Sequence, residues 1–311
     1  MGTAAVRQVL RFVLATAVLA LALGGCGGVA PASTASTPTP LGSIDAPRAS
    51  ATAAPTVANT ATLQPTVSPS ASPPALRLPP PNAGFDYQLG GAYPPPAGVT
   101  IVSRDRTAKP SPGLYNICYV NGFQVQDSEK AWWLATHPDL MLRRAGKLVI
   151  DPDWNEVLLD VSKPAKRAQL AIIVGGWIRG CAADGFDAVE IDNLDTYSRS
   201  GGLITEDDAV AQIRLFSDAA HAAGLAIAQK NSAEIVGRRA EMATDFAVAE
   251  ECDRYTECDA YTGAYGDHVL VIEYRRVDFK AGCAGFPDLS IVLRDLDLVP
   301  PSTRGYVFAR C

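Results

Sequence analysis

Five short apolar runs in the second half of the chain each end on side chains that can carry charge or a proton. Asp192 and Asn193 follow residues 188–191, Lys230 and Asn231 follow 225–228, and Glu250 and Glu251 follow 246–249. Glu273 and Tyr274 follow 269–272, and Arg294 and Asp295 follow 291–293. One such residue alone is commonly a helix cap or half of an ion pair. Five in succession describe a rim, because strand C-termini and the loops after them form the active face of a parallel barrel. Two carboxylates delivered to one cleft from different strands suit cleavage of a glycosidic bond. One protonates the departing oxygen, and the other attacks the anomeric carbon or activates water. Asp192, Glu250, Glu251, Glu273 and Asp295 are all available, and the strand-end pattern alone does not select the pair.

The elements that must hold these residues are legible as short, mostly continuous apolar runs. They cover 99–102, 116–120, 157–161, 188–191, 225–228, 246–249, 269–272 and 291–293. Runs of that length suit parallel strands buried on both faces. Helix-length stretches separate several of them. One spans 163–183, with Ala168, Ile172 and Ile173 on an apolar stripe. Another starts after Thr205, a good N-cap, and stops at Gly224. Alternating strand and helix makes an α/β parallel sheet. Eight or nine strands in about 230 residues favour a (β/α)8 TIM-like barrel over an open sheet. Residues 103–115 are too short and proline-rich for a crossover helix, which leaves the first part of the barrel either irregular or carrying a supplementary strand.

Ahead of the barrel the composition changes. Arg7 and Arg11 precede an apolar stretch over 12–23, shorter than the ~20 residues a membrane span needs. It ends in Leu23-Gly24-Gly25-Cys26, similar to a bacterial lipobox with Cys26 as the acylated residue. An ordinary cleaved signal peptide or an uncleaved anchor is the competing reading. Residues 27–80 are rich in Ala, Pro, Ser and Thr and are expected to stay disordered, as a linker with reach on the order of 100 Å. The expected organisation is a lipoprotein signal peptide over 1–26, the linker over 27–80, and one catalytic barrel over 81–311.

Six further cysteines, Cys118, Cys181, Cys252, Cys258, Cys283 and Cys311, form an even set, as expected of a disulfide framework in an oxidising compartment. They allow fifteen pairings. Cys252 with Cys258 closes a short local loop, Cys283 with Cys311 staples the C-terminus, and Cys118 with Cys181 remains. No metal-ligand spacing involves them or the 3 histidines, and no metal or other cofactor is expected. The net charge of −6, with no basic run, argues against a nucleic-acid partner.

Several segments resemble the endo-α-1,4-polygalactosaminidase family, glycoside hydrolase family 114. Phe85-Asp86-Tyr87-Gln88-Leu89-Gly90-Gly91 is similar to its opening strand, and Ile117-Cys118-Tyr119-Val120-Asn121 to a later one. The run from Gly185 through Asp192-Asn193-Leu194-Asp195 is similar to its most recognisable segment. Gln229-Lys230-Asn231 and Ala249-Glu250-Glu251-Cys252 complete the set, in the family's order across nearly all of 81–311. The resemblance implies catalytic roles for Asp192 and Glu250, with Glu251 the neighbour that a one-residue slip would substitute. It implies substrate or supporting roles for Asp86, Gln88, Tyr119, Asp160, Asn193, Asp195, Tyr197 and Lys230. Glu190 shares parity with Asp192 and is expected to bond within the barrel. The implied substrate is a partly deacetylated, cationic α-1,4-galactosamine polymer, with Asp195, Glu273 and Asp295 as candidate partners for its ammonium groups. The expected protein is a monomeric, lipid-anchored, extracytoplasmic endo-hydrolase. A non-catalytic polysaccharide-binding lipoprotein and a barrel glycosidase for another α-glycan are the alternatives.

Overall fold

The computed structural model describes residues 76–311. The signal peptide, Cys26 and all but the last residues of the linker lie outside the described residues. Arg77 and Pro79 already pack on the barrel: Arg77 pairs with Asp187 at 3.0 Å, and the Pro79 carbonyl lies 2.9 Å from His268 Nδ1.

The described residues form a barrel-like sheet of nine strands in chain order: β1 (Phe85–Tyr87), β2 (Ile101–Asp105), β3 (Tyr115–Asn121), β4 (Ala188–Asp192), β5 (Ala226–Lys230), β6 (Phe246–Glu250), β7 (Val269–Glu273), β8 (Ser290–Arg294) and β9 (Phe308–Arg310). The first eight pair in parallel. The ninth runs antiparallel on β8. Side chains nearly close the circle between β8 and β1. Ser290 Oγ accepts from the Ala83 amide at 2.9 Å, and Arg294 donates to the Tyr87 carbonyl. This is the expected TIM-like barrel with a supplementary strand, and that strand sits at the C-terminal end. The early part is irregular instead: β1, β2 and β3 are joined by loops with no crossover helix.

The period of two divides each strand between two layers. Phe85, Tyr87, Ile101, Tyr115, Ile117, Ala188, Ala226, Ala228, Phe246, Val248, Leu270, Ile272 and Val292 meet inside the barrel. Their neighbours, such as Val189, Ile191, Ile227, Ala247 and Val271, face the surrounding helices. Those helices are α1 (Lys130–Thr136), α2 (Pro164–Asp184), α3 (Glu206–Ala222), α4 (Cys258–Tyr265) and α5 (Arg276–Gly285). α3 begins with a reciprocal capping box between Thr205 and Asp208 and ends at Gly224, at φ 78°. Both ends are as the sequence predicts.

Two expectations need correction. Residues 157–161 are no barrel strand. Val157–Leu158 pairs antiparallel with Gln124–Val125 in a small separate sheet that belongs to a long excursion between β3 and α2. On α2 the buried stripe is Leu170, Val174, Ile178 and Cys181, at near-helical spacing; of the expected three, half-buried Ile173 packs against it, while Ile172 is 71% exposed and Ala168 is exposed. Disulfides join Cys118 to Cys181, Cys252 to Cys258 and Cys283 to Cys311, the three expected pairings.

Candidate active site

Three neighbouring strands place their last inward-pointing residues side by side. Asp192 ends β4, Lys230 ends β5 and Glu250 ends β6. Each is followed at once by a residue in the left-handed region: Asn193 at φ 67°, Asn231 at 48° and Glu251 at 56°. That reversal ends the strand and leaves the preceding side chain on the barrel axis. Asn adopts this conformation readily. Glu does so at a cost on the order of 1 kcal/mol, which the surroundings must offset.

Lys230 organises the group. Its Nζ lies 3.1 Å from Asp192 Oδ1, 3.1 Å from Glu250 Oε2 and 3.3 Å from Glu190 Oε1, with its side chain only 2% exposed. Because one ammonium touches both, Asp192 Oδ1 and Glu250 Oε2 are no farther apart than twice 3.1 Å. Tyr119 donates to Asp192 Oδ2 at 2.7 Å, and Tyr87 donates to Glu190 Oε1 at 2.6 Å. Glu250 receives hydrogen bonds from Tyr274 and from Asn231 Nδ2, and its own amide donates to Asn231 Oδ1 at 2.8 Å.

These contacts set the charge states. Burial acts to raise the Asp192 carboxyl, but Lys230, the Tyr119 hydroxyl and the Asn193 amide outweigh it and hold the group below the ordinary carboxylate range. Burial likewise acts to lower Lys230, and Asp192, Glu250 and Glu190 overcome it, so the ammonium persists well above its usual range. Glu190 is raised, chiefly by burial, against the pull of Lys230 and Tyr87. Sequence parity anticipated this interior role for Glu190.

Above the group opens a cleft that is partly open to solvent. Tyr87, Tyr119, Trp154, Glu156, Asn193 and Tyr274 contribute to its walls. Of the residues assigned to substrate from the sequence, Tyr119, Asn193 and Lys230 thus meet Asp192 and Glu250 here. The others do not line it. Asp86 is fully buried against Arg294 at 3.0 Å and Tyr93, and Gln88 bridges Asp86 to Arg104. Asp160 binds Lys166 and Ser162 at the start of α2. Asp195 pairs with Arg199, and Tyr197 donates to Glu234. Glu273 accepts from the Asp253 amide, and Asp295 from the amides of Val299 and Val307. Glu251 turns away from Lys230 and pairs with Arg254 at 2.6 Å.

Tyr87 was missed as a site residue, while Asn231 and Tyr274 were read on the rim without an assigned role. Inward parity with Phe85 would have found Tyr87, and parity with Leu270 and Ile272 would have found Tyr274. Trp154 and Glu156 come from the excursion after β3, where no strand-end signal exists. Among the described residues, no group of three His, Cys, Asp or Glu side chains is placed to hold a metal ion.

The model of the glycoside hydrolase family GH114 matches residues 65–311. No protein with a curated description matches the chain by sequence. Among solved structures, Aspergillus fumigatus Ega3 in complex with galactosamine superposes with a TM-score of 0.61 at 22% identity, covering 76% of this chain and 97% of that one. The glycoside hydrolase domain of PelA from Pseudomonas aeruginosa gives 0.49 at 17% identity, covering 73% and 98%. The first likeness is one of fold.

Proposed function

The chain belongs to glycoside hydrolase family GH114, and from that membership we propose that it cleaves α-1,4-linked galactosamine polymers internally, through Asp192 and Glu250. The observation that carries the pairing is the shared ammonium of Lys230, which holds both carboxylates over one cleft. Asp192 is kept ionised by Lys230 and Tyr119 in the face of burial, so it serves as the anion that attacks the anomeric carbon. Glu250 then protonates the departing oxygen and afterwards takes a proton from the water that releases the sugar. A retaining pair stands ~5–5.5 Å apart and an inverting pair ~6.5–9.5 Å. With Asp192 as nucleophile the reading is retention, and the upper limit on the Asp192 Oδ1 to Glu250 Oε2 distance is compatible with it. The galactosamine bound to Ega3 supports the substrate class.

Three disulfides support an oxidising compartment. The reading is completed by export, acylation at Cys26, a linker holding the barrel off the membrane, and a monomeric enzyme. Changing Cys26→Ala should then release the protein from the membrane fraction.

The test is incubation of the protein with partly deacetylated α-1,4-galactosaminan, with products read by mass spectrometry and anomeric configuration by NMR. Wild type should give oligosaccharides of α configuration at first, and Asp192→Asn and Glu250→Gln should give few or none over the same time. Turnover at the wild-type rate in Glu250→Gln would remove the assignment. Binding without turnover in wild type would favour a non-catalytic polysaccharide binder.

A further inference from the structure

Three of the carboxylates around the cleft share Lys230, but Glu156 has no such partner. Among the described residues no Lys, Arg or His lies within ion-pair distance of it, although it is half-buried and lines the cleft beside Asp192 and Trp154. Its Oε2 accepts from Asn121 Nδ2 at 2.9 Å, and Asn121 Oδ1 in turn accepts from Asn193 Nδ2 at 3.1 Å. The carboxylate is therefore oriented from the same rim that ends at Asp192.

The turn that presents Glu156 is firmly built. Asp151 is fully buried, bound by Arg199 Nε at 2.5 Å and by Gln124 Nε2 at 2.7 Å, and its Oδ1 accepts from the Asp153 amide. The Asp151 amide donates to the Glu156 carbonyl at 2.8 Å, and Asn155 reverses the chain at φ 58°. Such anchoring fixes where Glu156 stands while leaving its charge uncompensated. A carboxylate held partly out of water with no cation costs free energy in the empty protein, and a cationic ligand group would offset that cost.

We propose that Glu156 is the acceptor for a substrate ammonium, so that the cleft selects deacetylated over N-acetylated sugar in the ring that lies beside Asp192. The proposal rests on the hydrolase reading above and adds the group that sets its substrate preference. Burial, together with Asp192, Asp127 and Asp151, pushes Glu156 up to about 7 against the Asn121 hydrogen bond. Nearby positive charge is committed elsewhere, Lys230 to the barrel carboxylates and Arg199 to Asp151 and Asp195. Recognition of the ammonium therefore weakens as the pH falls through 7 and Glu156 takes a proton.

The test compares full-length wild type with Glu156→Gln, which keeps an oxygen for Asn121 and loses the charge. KM and kcat are measured on a fully deacetylated α-1,4-galactosamine oligosaccharide and on its N-acetylated counterpart. A hydrogen bond to a charged group predicts a KM increase of about tenfold or more on the amino substrate, with a markedly smaller one on the acetylated substrate. The rise of wild-type KM below pH 7 should vanish in the variant. Equal losses on both substrates, with unchanged thermal unfolding, would reduce Glu156 to a structural role and overturn the proposal. Affinities of the two oligosaccharides, measured in the Asp192→Asn background, keep the tests separate. If wild type cleaves neither substrate, the hydrolase reading fails, while selective loss of amino-sugar affinity still supports Glu156.

Discussion

Lys230 Nζ sits 3.1 Å from Asp192 Oδ1, with the lysine side chain almost wholly out of water. The contact joins the ends of adjacent strands β4 and β5, and the same ammonium reaches Glu250 on β6. One cation thus bridges the two residues proposed to do the chemistry and holds Asp192 in its ionised form.

Replacing Lys230 with Met should leave Glu190, Asp192 and Glu250 facing one another without a counterion. Asp192 is depressed in the folded protein, so its ionised form is stabilised above the unfolded pKa and that stabilisation is lost as the pH falls. Without Lys230 the acid limb of kcat/KM should move to higher pH, and stability at pH 7 should drop by roughly 3–5 kcal/mol. An unmoved acid limb in a folded variant would show that the lysine does not set the Asp192 charge.

Glu250 and Glu251 should separate cleanly. Loss of a general acid typically costs about 10²–10⁴ in rate, so Glu250→Gln should lose turnover by that factor while remaining folded. Glu251→Gln removes the ion pair to Arg254 and should lower the thermal midpoint, with kcat reduced far less. Turnover and thermal unfolding of both variants check this, and the reverse ranking would exchange their assignments.

Glu273 predicts a pH dependence of stability. Burial, with Glu251, Asp278 and Asp253 nearby, pushes it up to about 8 against the hydrogen bond from the Asp253 amide. Arg254 and Arg275 are engaged with Glu251 and Asp278. A carboxyl raised on folding binds more protons folded than unfolded, so its contribution to stability falls as the pH climbs from about 4.5 to about 8. Glu273→Gln should raise the thermal midpoint relative to wild type at pH 8 and change it little at pH 5. Thermal unfolding across that range is the check.

The disulfide between Cys118 and Cys181 ties β3 to α2 across 63 residues of chain. Loop-closure entropy puts its loss at about 4 kcal/mol. Replacing both with Ser should lower the denaturant midpoint accordingly. A change under about 1 kcal/mol would mean that packing of α2 on the barrel suffices without the bond.

Much of this architecture was readable from residue types in order. Apolar runs located six of the eight parallel strands closely, with β1 found through its resemblance, and the runs over 188–191, 225–228 and 246–249 pointed to Asp192, Lys230 and Glu250. Thr205 and Gly224 marked the ends of α3 because capping is local chemistry. The run over 157–161 misled, since a short apolar stretch carries no record of the sheet it joins.

Parity decided most of what remained. Glu251, Glu273 and Asp295 stand next to inward-facing strand positions and were read as rim residues from proximity alone. A shift of one residue turns a side chain to the other layer, and each of these found a partner there. The period of two was available in the order of residues, but the strand ends that set its phase were settled only by pairing. Trp154 and Glu156 are a different matter. They lie on a turn fixed by Asp151 through Gln124 and Arg199, which stand on either side of it in the chain and far from it in sequence. Strand ends, caps and cysteine spacings are local patterns and survive in the order of residues. The meeting of the 151–156 turn with the ends of β3 and β4 is a long-range packing event, and it came into being only in the folded chain.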